Sequence, residues 1–159
     1  GSGNPEEGEL RPQLLDRFGL SVEVRAPNQI EQRIEVIKRR DLFERDTDAF
    51  LTIYAKEDAK IRKAILAARA TLAQIETRDA LLGQCADLCL KLGSDGLRGE
   101  LTLLRTARAL AAYEGKTSVS RRHIMRIAAM ALSHRLRRDP LDEAGSATRV
   151  ERAVDTVLA

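Results

Sequence analysis

From Pro27 onward the apolar positions recur at helical spacing. Ile30, Ile34, Ile37 and Leu42 form one stripe, and Thr47 is placed to cap a long helix carrying Phe50, Leu51, Tyr54, Ile61, Ile65, Leu66 and Leu72. A further helix is predicted from about Arg78 to Leu92, stopped by Gly93. Asp95 then offers an N-cap for a helix over Leu97 to Glu114, closed by Gly115. Ser120 caps the next, which runs through Ile124, Ile127, Ala131 and Leu136 until Pro140 stops it, and a last amphipathic helix spans Ala147 to Leu158. Upstream, Pro12 suits the first turn of a short helix through Leu14, Leu15 and Phe18 that Gly19 ends. Leu20-Ser21-Val22-Glu23-Val24 alternates apolar with polar and reads as one short strand. A lone strand has nothing to pair with, so it is either the edge of a sheet lying elsewhere or not a strand. The fold class is mainly α.

Composition narrows this further. At 159 residues, with 43% hydrophobic and 32% charged, the chain suits about one domain with a real core. Only 3% is aromatic and Trp is absent, so that core is built of Leu, Ile, Val and Ala. No apolar run reaches the ~20 residues a bilayer span needs. The start has no charged n-region and no apolar h-region, so no signal peptide is expected. Two cysteines make no disulfide framework. A net charge of +3 is too small to argue for nucleic acid, but it is unevenly spread. Residues 1–24 carry −3, residues 25–75 carry +3, residues 76–138 carry +6 and residues 139–159 carry −3.

The basic third segment holds Arg98. In the first turn of its helix a cation opposes the helix dipole by ~0.3–1 kcal/mol, so its position asks for an anion. Thr102 and Arg105 share its side of the helical wheel. That grouping at a helix N-terminus suits a phosphate; the alternative is a solvated arginine paired with Asp95 or Glu100. Asp16-Arg17 follows Leu14-Leu15 on the short helix. It is either a local salt bridge or a rigidly presented guanidinium able to stabilise a transferring phosphoryl group, with Arg11 close by in sequence. Cys85 and Cys89, at i and i+4, read as buried apolar residues rather than metal ligands, because His123 and His134 lie on another helix. The clusters His134-Arg135-Leu136-Arg137-Arg138 and Lys38-Arg39-Arg40 read as a solvated helix end and a solvated helix face. Two histidines and no nucleophile elbow give no hydrolase triad.

Read as whole stretches, these residues are more specific. GSGNPEEGELRPQLLDRFGLSVEV resembles the segment of AAA+ ATPases from the end of the sensor-1 strand through the arginine-finger helix. The wording NPEEGELRPQLLDRFGL, with SDGLRGELTLLRTARALAAYEG and ALSHRLRRDPLDEAGS, is similar to the magnesium chelatase I-subunit family of chlorophyll and bacteriochlorophyll synthesis, and the Ala/Arg-rich spelling suggests its bacteriochlorophyll branch. The resemblance covers essentially the whole chain.

It implies that residues 1–24 are the C-terminal piece of an AAA+ α/β core. Residues 25–75 would then be long connecting helices, residues 76–138 a helical lid, and residues 139–159 a tail helix. Asn4 matches sensor 1, which orients the attacking water, and Arg17 the arginine finger reaching a neighbouring subunit's ATP, with Asp16 beside it at the interface. Arg98 matches sensor 2, which contacts nucleotide phosphates. The implied activity is ATP hydrolysis driving Mg²⁺ insertion into protoporphyrin IX. The implied partners are ATP and Mg²⁺, other copies in a ring, a related D subunit and a porphyrin-carrying H subunit. The implied compartment is the bacterial cytoplasm, or the stroma in a plant or alga. No G-x-x-x-x-G-K-[ST] loop or acid-ended apolar strand is present; in the family both precede the sensor-1 strand, so the chain matches the family's C-terminal half. A remodelling ATPase of the MoxR type, which shares the N-P-x-E…LLDRF pattern, and a helical interaction module without a nucleotide role are the alternatives.

Overall fold

A computed structural model describes residues 1–4, 11–94, 96–136 and 145–158. Seven α-helices run through them: α1 (Pro12–Leu15), α2 (Ile30–Arg45), α3 (Thr47–Thr71), α4 (Asp79–Lys91), α5 (Arg98–Tyr113), α6 (Arg121–Leu132) and α7 (Gly145–Leu158). Short 3₁₀ turns follow α3 at Leu72–Gln74 and α6 at Ser133–Arg135.

Helices α4 to α7 pack around one core. Leu88, Leu103, Ile124, Leu132, Val150 and Cys89 are its largest fully buried side chains, with Ala107, Ala111, Ala128 and Ala131 between them. The small alanines let helix axes approach closely where no aromatic fills the space. Two loops meet beside this core, where the Glu76 amide donates to the Thr117 carbonyl at 3.0 Å and the Val119 amide to the Glu76 carbonyl at 2.9 Å. That isolated bridge seats Ile75 and Val119 in the core.

The helix ends follow local chemistry. Gly93 (φ 66°) and Gly115 (φ 68°) terminate α4 and α5 in the left-handed region that favours glycine. Before α6, the Ser120 amide donates to His123 Nδ1 at 3.0 Å. The His123 proton therefore sits on Nε2, which donates to Glu114 Oε2 at 3.2 Å, while Arg126 holds the other carboxylate oxygen. Burial works to raise the Glu114 pKa, but Arg126 and His123 together hold it below the ordinary carboxylate value. His123 is thus a buried structural residue.

Three expectations are corrected. Leu20–Val24 forms no strand: Val24 is 88% exposed, and the Ser21 amide donates to the Met130 carbonyl in the last turn of α6 at 2.8 Å. Alternation alone makes no ladder, and the amide instead satisfies a carbonyl left free at a helix end. Asp46, not Thr47, caps α3, accepting from the Ala49 amide at 2.9 Å. The α5 helix begins at Arg98 with Leu97 in the cap position; Asp95 lies outside the described residues, as does Pro140.

Helices α2 and α3 form a long antiparallel hairpin with no fully buried residue of its own. Its tip joins Phe43, Phe50 and Tyr54, with ring centroids 5.4 and 4.7 Å apart, and Arg39 lies 5.5 Å over Tyr54. The basic run Lys38-Arg39-Arg40 is solvated as expected, Arg39 pairing with Glu35 at 2.8 Å and Arg40 with Glu44 at 2.6 Å. The base of α3 lies against α5, where Ala68 touches the core.

Candidate functional site

The site is a seam between the first turn of the chain and one end of the helical bundle. Helix α1 is only one turn long; the chain winds on through Arg17 and Phe18, whose amides donate to the Leu14 and Leu15 carbonyls at 3.1 and 3.0 Å. The turn lies against α5, with the Gly19 backbone facing Thr102.

Asp16 is the centre of the seam. One carboxylate oxygen pairs with Arg98 at the start of α5, the other with Arg135 in the 3₁₀ turn after α6. Glu100 does not take that place at Arg98, Asp95 lies outside the described residues, and Asp16 does not pair with its neighbour Arg17. The reason is positional: Arg98 needs negative charge where the α5 dipole is positive, and a carboxylate from another segment supplies it. Asp16 keeps 42% of its side chain exposed and Arg98 59%, so the pair sits at the surface and is worth ~1 kcal/mol at most.

Arg135 is different in kind. Its side chain is 4% exposed. Besides the carboxylate, its guanidinium donates to the Asp16 carbonyl at 2.8 Å and the Phe18 carbonyl at 2.8 Å, while Nε donates to the Ala131 carbonyl at 3.0 Å. His134 Nε2 donates to the same Phe18 carbonyl at 3.1 Å. A carbonyl only accepts, so the proton is on Nε2, and Nδ1 is buried with no partner among the described residues. Burial, assisted by the adjacent Arg135, pushes the His134 pKa below its ordinary value despite the Phe18 carbonyl and Asp16. The reading of His134 and Arg135 as a solvated helix end is therefore wrong; Arg137 and Arg138 lie outside the described residues. The only hint in sequence is that the pair sits between the buried apolar residues Leu132 and Leu136.

Around this seam the expected grouping is partly assembled. Thr102, one turn on from Arg98 in α5, has its Oγ1 3.5 Å from Arg135, and Arg105 is exposed without a hydrogen bond or ion pair among the described residues. Arg17 is likewise exposed, its side chain making neither hydrogen bond nor ion pair among the described residues, though both flanking carbonyls are pinned. Arg11 and Asn4 are exposed near the chain start. Gly99, unremarked in the sequence, lets α5 pack closely: a Cβ there would stand 2.8 Å from Ser94 Oγ and 3.4 Å from Leu132 Cδ2.

Chemically, an exposed guanidinium at a helix N-terminus that already holds a carboxylate fits a phosphate equally well. Among the described residues no three His, Cys, Asp or Glu side chains gather to hold a metal. Cys85 and Cys89 are buried free thiols, pushed up to about 11 and about 12, chiefly by burial, with Glu100 adding to both. They are inert core residues, as expected. Among the described residues no helix is long and apolar enough to cross a membrane.

Comparison with known proteins sets this geometry in context. The AAA lid domain family matches residues 82–155. The magnesium-chelatase 38 kDa subunit of Cereibacter sphaeroides is 65% identical over 158 residues, covering 99% of this chain and 47% of that protein. The same subunit of Rhodobacter capsulatus is 63% identical over 158 residues, covering 99% and 45%. The chain thus spans about half the length of these curated relatives. A crystal structure described as a candidate ATPase of Cytophaga hutchinsonii superposes with a TM-score of 0.68 at 17% identity, covering 92% of this chain and 48% of that one, which shows a shared fold.

Proposed function

We propose, from the premise that this chain belongs to the magnesium chelatase I-subunit family, that it forms the finger-and-lid part of an AAA+ motor subunit. In the intact subunit ATP hydrolysis drives Mg²⁺ insertion into protoporphyrin IX, within a ring of like subunits that works on the D subunit and the porphyrin-carrying H subunit. Identity of 65% over nearly all of the chain favours this reading over a remodelling ATPase or an interaction module.

The observation that carries the site assignment is Arg17. It is an exposed guanidinium, uncommitted among the described residues, on a turn whose backbone is held from both sides. Such a group is suited to act on a phosphate that belongs to another subunit. Arg17 is then the arginine finger, and Asp16 orders the interface turn. Arg98 is sensor 2, reaching the phosphates of its own subunit's ATP with the guanidinium that here pairs with Asp16 through one nitrogen. Asn4 is sensor 1, orienting the attacking water. No G-x-x-x-x-G-K-[ST] phosphate loop lies in the sequence, so these residues by themselves are expected to hydrolyse no ATP.

The test is complementation between subunits. An intact subunit carrying Arg17→Ala should bind ATP normally and hydrolyse it poorly, since a finger acting in trans contributes roughly 10³–10⁵ in rate. Mixed with a subunit that has a dead phosphate loop but Arg17 in place, it should recover activity that neither has alone. Loss of ATP binding in Arg17→Ala, or no recovery in rings shown to be mixed, would overturn the assignment.

A further inference from the structure

We propose that Arg135 is the positioning residue for Arg17. This rests on Arg17 being the finger, and it assigns to the end of the lid the task of aiming it. A finger must hold its guanidinium on a transferring phosphoryl group in a site it does not own, so its backbone must be fixed while its side chain stays free. Arg135 meets both needs. One buried guanidinium binds the carbonyl before Arg17 and the carbonyl after it, each at 2.8 Å, together with the Asp16 carboxylate. It bonds both residues that flank Arg17 and makes no hydrogen bond to the Arg17 side chain.

The anchor at the other end is equally defined. Arg135 Nε donates to the Ala131 carbonyl at 3.0 Å, in the last turn of α6, whose preceding residues Ile127, Ala128 and Ala131 are in the core. The finger turn is therefore tied to the bundle through one side chain with five acceptors, Thr102 Oγ1 of α5 at 3.5 Å among them. A guanidinium offers five donors in a rigid plane, whereas lysine offers a point charge on a flexible stem. His134 adds one bond to the Phe18 carbonyl and Arg98 one ion pair to Asp16, and neither contacts both sides of Arg17 with strong bonds. The core of α4 to α7 is apolar and complete without the turn, so Arg135 serves the turn more than the bundle.

Two measurements on the nucleotide-free intact subunit test this, with Arg135→Lys as the variant. Amide hydrogen exchange over residues 17–21 should accelerate by about tenfold or more, the effect of losing a charge-assisted bond, while the amides around Leu88 and Leu103 keep their rates. ATP binding should stay unchanged and hydrolysis should fall by roughly 10²-fold, the consequence of a misplaced catalytic group. That loss should be recovered in mixed rings with a subunit that has a dead phosphate loop but intact Arg17 and Arg135. Unchanged exchange at 17–21, or a hydrolysis defect that mixing does not recover while Arg17→Ala is recovered, would overturn the role of Arg135. If Arg17→Ala itself is not recovered, the finger assignment fails and the aiming role falls with it, even where exchange shows Arg135 holding the turn. Should Arg135→Lys not fold, Asp16→Asn on the exposed side of the same contact is read by the same criteria.

Discussion

The α4–α7 bundle and the α2–α3 hairpin are both made of helices with apolar positions at i, i+3 and i+4. The bundle turns those positions inward, and Leu88, Leu103 and Ile124 are fully buried. The hairpin leaves Ile34, Ile37, Ile61 and Ile65 largely exposed, with no side chain fully buried on either helix. An apolar stripe therefore states that a helix has a face to cover, not that its own chain covers it. The two regions are also held by different forces. Area removed from water stabilises the bundle. The hairpin relies on the aromatic cluster at its tip, one cap, and i,i+4 ion pairs worth ~0.2–0.5 kcal/mol each.

The sharpest way to break this contrast is to make the same kind of truncation in both regions. Leu103→Ala empties a fully buried position and should cost about 2–5 kcal/mol. Ile37→Ala, at a residue 66% exposed, should change stability by about 0.5 kcal/mol or less. Equal losses in denaturant melts of the two variants would mean the hairpin is covered in solution. Next in size is Gly99→Ala, which drives a methyl against Ser94 and Leu132 and should cost about 1–3 kcal/mol, although alanine is the better helix former. A more stable Gly99→Ala in thermal melts would show that α5 has room to shift. Asp46→Ala removes the α3 cap and should cost about 0.5–2 kcal/mol, seen as fraying of the hairpin tip by hydrogen exchange with the bundle unchanged.

The smallest effect expected is a response to acid at the seam on the bundle side, where His134 lies; the hairpin has no histidine. The folded His134 pKa lies below its ordinary 6.5, so over that interval the unfolded chain binds more protons than the folded one. Stability therefore rises with pH there and is lost as pH falls below about 6.5. Protonation also leaves the buried Nδ1 with a proton and no acceptor among the described residues. Amide exchange at residues 17–21 should quicken between about pH 7.5 and 5.5, and His134→Gln should flatten that response. An unchanged profile in the variant would assign the acid response to another group.

Much of the candidate site was legible because its parts are local. The first-turn position of Arg98 on α5 announces a cation in want of an anion, and the resemblance of LLDRF and NPEEGELR to a known family implies roles for Arg17 and Asn4. Arg135 was not legible. Its partners, Asp16 and Phe18, lie 119 and 117 residues away, and a guanidinium at a helix end looks the same in sequence whether it meets water or a carboxylate.

By itself the sequence determined what nearest neighbours decide. The helix stops at Gly93 and Gly115 follow from backbone sterics, the start at Ser120 from a side chain three residues on, and the alanine- and leucine-rich core from composition. Tertiary structure alone decided the rest. It paired Arg98 with Asp16, 82 residues away, buried Arg135, left the hairpin stripe in water, and left Leu20–Val24 without a ladder. Each of these depends on which distant group occupies the adjacent space, since ion pairs, burial and strand pairing are properties of two surfaces and a single segment specifies only one.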